Sequence, residues 1–188
     1  MANHAGTTPM SMRQDAGVAA ARVISFLADR ASASPTPTVA TVGTIAFEPN
    51  AINIIPSRAI FTIDLRDPNE MHLREAEAAL AASLDDLAAS AGVTIHAESL
   101  ARFEPVTFDA GIVSLIEDGA RAAGLSCRRM TSGAGHDAQM IARIAPSAMI
   151  FVPSRGGISH NPAESTAADE LVAGANVLLG VAARLAAD

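Results

Sequence analysis

The sequence predicts a mixed α/β protein, α+β in its first part, built in two parts that meet near residue 105. Three observations carry this expectation. Strand-like runs, one of them with a clear period of two over 59–66, are set between runs of helical period. Before residue 105 the order is helix, strand, strand, helix, strand, a split βαβ pattern missing its first strand. After it, helices and short apolar runs alternate. At 188 residues the chain is long enough for one domain or two small ones.

The first helix is predicted over residues 10–31, where Ala16, Ala20, Val23 and Leu27 recur at helical spacing and stack on one face. The stretch ASASPTPT (31–38) carries two prolines and ends it. Two strands follow, TVATVGTIAFEP (38–49) and INIIPSRAIFTIDLRD (52–67). In the second, Ala59, Phe61, Ile63 and Leu65 alternate with Ile60, Thr62, Asp64 and Arg66, so one face is apolar and the other carries Thr62, Asp64 and Arg66. A helix over 69–91 buries Leu73, Ala76, Leu80, Leu84 and Leu87; Gly92 stops it, and Val93–Glu98 reads as a strand.

Beyond Pro105 a helix near 109–123 ends at Gly124, and a short strand is expected around Cys127–Met130, with the cysteine buried in it. The segment TSGAGHDA leads into a helix near 136–145. SAMIFVP (147–153) is nearly all apolar, as a strand covered on both faces would be. A last helix from about 167 carries Leu171, Val172, Leu178, Leu179 and Val181. No internal repeat is visible.

Composition narrows the function classes. All 13 basic residues are arginine, against 20 acidic ones, and the net charge is −7. Nucleic acid and anionic membrane both require a basic footprint, so neither is expected as a partner. A single cysteine, Cys127, excludes an internal disulfide framework and a cysteine-based zinc cluster, which points to a reducing compartment. The opening MANHAGTTPM lacks the basic start and apolar stretch of a secretory signal, and no apolar run approaches the roughly 20 residues that cross a bilayer. A soluble cytoplasmic protein is expected.

Four stretches concentrate polar residues that a core does not need. In Asn3-His4-Ala5-Gly6-Thr7-Thr8-Pro9, Gly6 and Pro9 punctuate a turn before a helix; His4 is either incidental to a capped helix start or a functional imidazole. Asn53 precedes the strand bearing Asp64 and Arg66, and an amide with a guanidinium fork suits a carboxylate; an exposed Asp–Arg pair is the plainer alternative. Ser132-Gly133-Ala134-Gly135-His136-Asp137 opens a helix with small residues, as an anion site or as a tight turn, but with no following Lys and no GxGxxG spacing. Finally, His160 in Gly157-Ile158-Ser159-His160-Asn161-Pro162-Ala163-Glu164 follows an apolar strand, at the edge where open α/β sheets collect ligands, and suits a metal ligand, a general base or a merely structural histidine. His72 and His96 are expected to be solvated. No GxSxG elbow accompanies Ser132, Ser154 or Ser159, so a serine hydrolase is disfavoured, as is catalysis by Cys127.

In this order ANHAGTTPMSMRQDA, NIIPSRAIFTIDLRD, SGAGHDAQMIARIAPSAMIFVPS and GISHNPAE resemble the amidase/hydantoinase/carbamoylase branch of the zinc-exopeptidase-like hydrolases, which includes N-carbamoyl-L-amino-acid hydrolases, allantoate amidohydrolases and β-ureidopropionases. The resemblance covers essentially the whole chain. It implies metal-dependent hydrolysis of a linear amide or ureido C–N bond, with two divalent ions, zinc or manganese, over the attacking water and a Glu as proton shuttle. By motif, His160 matches a metal ligand, and His4 matches the histidine that assists at the carbonyl oxygen. Asn53 and Arg66 match the residues that hold the substrate's amide and carboxylate; the SGAGHDA loop matches pocket wall, with no role carried over for His136 or Asp137. The implied fold has a ferredoxin-like dimerisation domain over 1–105 and the C-terminal part of the metallohydrolase catalytic domain over 106–188. A homodimer is implied.

The resemblance also implies a departure. Relatives carry the remaining metal ligands upstream of the NHAGTTP motif, which here begins at residue 3, and His160 is the one well-placed ligand. The expectation is a C-terminal fragment, inactive alone, whose partner is the missing N-terminal catalytic portion. N-carbamoyl-L-amino acid is the favoured substrate because that label covers the broadest specificities, with allantoate as alternative. A non-catalytic dimerisation or binding module that keeps the motifs as remnants is the alternative of another class.

Overall fold

The computed structural model describes residues 1–187. The chain forms two compact units, Met1–Pro105 and Val106–Asp188.

The first unit opens with a two-residue strand, β1 (Asn3–His4), and a 3-10 turn at Met10–Met12. Helix α1 (Ala16–Ser32) begins later than the periodicity predicts because the Asp15 carboxylate accepts from the N–H groups of Gly17 and Val18, two of the donors a helix start leaves unpaired. Strands β2 (Val39–Glu48), β3 (Ile54–Ile55) and β4 (Arg58–Arg66) follow, then α2 (Glu70–Ala91). The single strand predicted over 52–67 is therefore two. Pro56 has no N–H to give a ladder, and its carbonyl accepts from Ala16 N instead. The Asn69 side chain caps the start of α2, and Gly92 at φ 61 closes its end in the left-handed conformation that glycine adopts without strain.

Two separate antiparallel pairs result, β1 with β3 and β2 with β4. In the larger pair Val39 stands opposite Arg66 and Glu48 opposite Arg58, with an irregularity between Thr41 and Thr44. Alternation in β4 is as expected: Ala59, Phe61, Ile63 and Leu65 are half-buried and their neighbours exposed. Phe61 and Ile63 join Ala40 and Val42 against Ala19, Val23 and Leu27 of α1 and Leu87 of α2. Leu73 and Ala76 are buried, and Leu80 and Leu84 pack on the same core.

Val93–Glu98 is not a strand. Val93 and Ile95 face the core at the expected period, yet periodicity sets only which side chains turn inward, whereas a ladder needs a neighbouring strand. Asp67 is buried at 5% exposure and accepts from the hydroxyls of Thr36 and Thr38 and from Asn69 N. This ties the α1–β2 connection to the end of β4. Burial pushes the Asp67 carboxyl up, but those three donors and the nearby His72 outweigh it and hold the group below the usual range. His72, expected to be solvated, is half-buried with Nδ1 enclosed and unpartnered. Its position next to Leu73, on the flank of the buried stripe, is the reason.

The second unit contains α3 (Ala110–Ala122), the short α4 (Asp137–Ile141), a 3-10 turn at Arg155–Gly157 and α5 (Ala168–Leu185). Asp109 caps α3 through Ile112 N. Ala120 of α3 with Val177 and Val181 of α5 makes the core, joined by Ile116, Leu125 and Ile150. Of the apolar residues expected to matter on α5 only Val181 is buried; Leu171, Val172, Leu178 and Leu179 are exposed. Gly174 sits so close to the 150–152 segment that a Cβ would lie 2.4 Å from Val152 Cγ1.

No strand occurs in this unit among the described residues, so the strands expected at 127–130 and 147–153 are not formed. Phe151 is half-exposed, not covered on both faces, and Cys127 is exposed. Both expectations assumed flanking strands, and among the described residues none lies beside these segments.

Candidate functional site

Of the four candidate residues, two come together on the small sheet. β1 pairs with β3, placing His4 opposite Ile54 and Asn3 opposite Ile55, while Ala5 N donates to the Asn53 carbonyl at 2.8 Å. His4 and Asn53 are both exposed. The backbone of His4 is held at each polar atom: its N–H donates to Asn3 Oδ1 (2.8 Å), and its carbonyl accepts from Thr8 Oγ1 (2.8 Å) and Thr8 N (3.2 Å).

The ring is held as well. Gly6 N donates to His4 Nδ1 at 3.0 Å. Arg13 spans the loop, donating from Nη2 to the Ala5 carbonyl (2.6 Å) and from Nε to the Thr8 carbonyl (3.1 Å). The expected turn before a helix is thus a strand end followed by a clamped loop. Sequence reasoning passed over Thr8 and Arg13; the available signal was a lone arginine between the loop and the N-capping Asp15.

Arg66 lies at the end of β4 on the exposed sheet face, and it makes the plainer pairing considered above. Its Nε donates to Asp64 Oδ1 at 2.7 Å, and Nη2 donates to the other carboxylate oxygen. Hydrogen bonding to Arg66 holds the Asp64 carboxyl below its usual range against partial desolvation, and the same bond pushes Arg66 up. A two-pronged pair of this kind presents a guanidinium already turned toward a carboxylate. An incoming carboxylate competes with Asp64 for it.

His160 belongs to the second unit. It is exposed, and its backbone takes φ 54, a left-handed conformation unusual for a residue with a Cβ. Local bonds hold it there: its N–H donates to Glu164 Oε2 (2.8 Å), Ala163 N donates to Asn161 Oδ1 (2.9 Å), and Arg155 N donates to the Ser165 carbonyl (2.8 Å). In the SGAGHDA loop the His136 ring caps α4, its Nδ1 accepting from Ala138 N at 3.0 Å. That helix has five residues, and the loop is a turn closed on itself.

Among the described residues no group of three or more His, Cys, Asp or Glu side chains converges to hold a metal ion. A metal centre takes three or four protein donors. The described side chains alone do not fit a two-metal centre; the exposed His160 imidazole has the chemistry of one ligand.

The motifs, their order and the fold define the class. The chain belongs to peptidase family M20/M25/M40, whose description residues 7–184 match. Within it, the chain is similar to the N-carbamoyl-L-amino-acid amidohydrolase of Rhizobium meliloti, 38% identical over 93% of this chain and 42% of that protein. It is 40% identical to the allantoate amidohydrolase of Bacillus subtilis (strain 168), over 98% of this chain and 45% of that protein. The solved structure of an amidase of the hydantoinase/carbamoylase family from Burkholderia vietnamiensis superposes with a TM-score of 0.91 at 39% identity, covering 96% of this chain and 44% of that one. The branch expected from the motifs is the branch found. The chain spans less than half the length of the curated relatives it matches.

Proposed function

We propose that the chain is part of an amidohydrolase that cleaves a linear amide or ureido C–N bond next to a carboxylate, of N-carbamoyl-L-amino-acid hydrolase type. The observation that carries this is the pairing of β1 with β3, which brings the His4 loop and Asn53 to one edge although they are far apart in sequence. His4 donates to the carbonyl oxygen as it gains charge. The Asn53 amide, with one acceptor and two donors, orients the scissile group. Arg66 exchanges Asp64 for the substrate's carboxylate, a swap between like partners that keeps the guanidinium paired and returns the half-exposed Asp64 carboxylate to water. In the complete site divalent ions, zinc or manganese, would supply carbonyl polarisation and water activation, and His160 would be one of their ligands.

Allantoate amidohydrolase is an equally supported alternative, because the identities to relatives of the two kinds, 38% and 40%, do not separate them. Residues 1–105 form the ferredoxin-like dimerisation domain on this reading: α1 and α2 lie against the antiparallel β2–β4 pair. Residues 106–188 belong to the catalytic domain, and the assembled enzyme is a homodimer.

The test is complementation. The chain is mixed with the separately expressed N-terminal catalytic portion of an N-carbamoyl-L-amino-acid amidohydrolase, with zinc or manganese, and metal content and turnover are measured. The expected result is about two metals per complete site, with cleavage of an N-carbamoyl-L-amino acid or of allantoate. A stable complex with no gain in metal or turnover overturns the proposal and leaves a non-catalytic binding module.

A further inference from the structure

We propose, on the reading of His4 as the donor at the carbonyl oxygen, that Gly6 and Arg13 are its positioning residues: the Gly6 N–H fixes the ring proton on Nε2, and Arg13 holds the loop in which that contact exists. A neutral imidazole has one nitrogen that donates and one that accepts. Gly6 N lies 3.0 Å from Nδ1 and is itself a donor, so Nδ1 accepts and the proton sits on Nε2. The nitrogen left free for a ligand is then an N–H, the state an oxyanion requires. The opposite tautomer would set two N–H groups against each other at Nδ1 and offer a lone pair outward.

The contact depends on how closely the backbone of residue 6 approaches the ring. A Cβ on Gly6 would lie 3.2 Å from His4 Cε1, tighter than most such contacts, and 3.5 Å from Nδ1, an ordinary contact, so the ring has to give way by a few tenths of an ångström, enough to lengthen its bond to Gly6 N. Arg13 fixes the same loop from its other side. It bonds the carbonyls of Ala5 and Thr8, the residues that flank the Gly6-Thr7 turn, and Thr8 in turn bonds the His4 carbonyl through both its N–H and its hydroxyl. Nε and Nη2 of one planar guanidinium reach two carbonyls of the turn, a geometry that a lysine ammonium cannot reproduce with both bonds in place. Preorganisation of this kind keeps a donor aimed without reorganisation when charge develops.

The test uses the full chain and needs no turnover. Nitrogen-15 spectra of the histidine rings, recorded in alkaline solution, report the tautomer of each ring. His96 is exposed and serves as the internal reference for an unrestrained ring. The expected result is a single Nε2–H form at His4 and a mixture at His96. Arg13→Lys, Arg13→Met and Gly6→Ala should move His4 toward the His96 mixture while the amide spectrum outside residues 1–16 and the 53–56 segment bonded to them stays unchanged. In complemented enzyme Arg13→Lys should lower kcat on the order of tenfold to a hundredfold with KM changed less than about twofold.

A His4 that matches His96 in the unmutated chain overturns the proposal, as does an unaltered tautomer in all three folded variants. Should Arg13→Met fail to fold, Arg13→Lys and the unmutated spectrum still decide. Turnover in complemented enzyme with a mixed His4 rejects this inference and keeps the proposed function; a single tautomer without turnover does the reverse.

Discussion

At the scale of single residues, the four candidates divide by what holds them. His4 is bonded at its N–H, its carbonyl and its ring, whereas Arg66 is committed to a carboxylate that another carboxylate can replace. These roles predict different kinetics in complemented enzyme. His4→Ala should lower kcat by about 10²–10³, the loss seen when one oxyanion donor is removed, with little change in KM. Arg66→Ala should raise KM by roughly tenfold to a hundredfold, as loss of about 1.5–3 kcal/mol in a charged hydrogen bond requires. Equal effects of both changes on both parameters contradict the assignment. His4 and Asn53 could be singled out from sequence because a polar NH pair before a Gly, and an Asn before Ile54-Ile55-Pro56, have no place in a core. Their meeting could not, since a two-residue strand is too short to leave a periodic trace. The left-handed backbone of His160 was equally invisible; only its neighbours Asn161 and Pro162 hint at a turn.

At the scale of elements, the helices are legible in the sequence, whereas the two apolar segments of the second unit read as strands and form none among the described residues. α1, α2, α3 and α5 each have a capping residue or a long periodic face in the chain itself, so local sequence suffices to specify them. A strand is completed by hydrogen bonds to another segment, and 127–130 and 147–153 have none beside them among the described residues. The start of α5 matches the expected one near 167, but of the expected apolar residues only Val181 is buried: the helix's many apolar residues let several stripes compete, and contact with α3 selects Val177 and Val181. Gly174 records how close α5 comes to the 150–152 segment. Gly174→Ala should destabilise the second unit by about 1–3 kcal/mol through overpacking, despite the better helix propensity of Ala. Adding Val152→Ala should restore most of the loss in a urea titration. A Gly174→Ala chain as stable as the original would show that the two backbones move apart freely.

At the scale of the whole molecule, residues 1–105 and 106–188 each keep their own small core, and apolar side chains such as Leu171, Leu178 and Leu179 remain exposed. No described helix is long and apolar enough to cross a membrane. The position where the chain divides was readable because Arg102-Phe103-Glu104-Pro105 interrupts both periodicities. Every basic side chain is arginine, and this has a consequence for acid tolerance. Guanidinium keeps its charge at any working pH, so only the acidic partners of the ion pairs titrate as the solution is acidified. Glu70 accepts hydrogen bonds from Arg74 and Arg102, and Glu117 from Arg121 and Arg129; both carboxyls, with Asp64 and Asp67, are held below their ordinary values. Groups lowered in this way stabilise the native chain fully above about pH 4–4.5, where the unfolded carboxyls titrate. The contribution fades as pH falls through their lower native values. Melting temperature should therefore be level from neutrality to about pH 5 and fall steeply below about pH 4; in Asp67→Asn it should start lower at neutral pH and fall less on acidification, because the share of Asp67 is already gone. A protein fastened by these clasps sheds its fastenings to vinegar, and brine alone leaves the Thr36–Asp67–Thr38 knot tied.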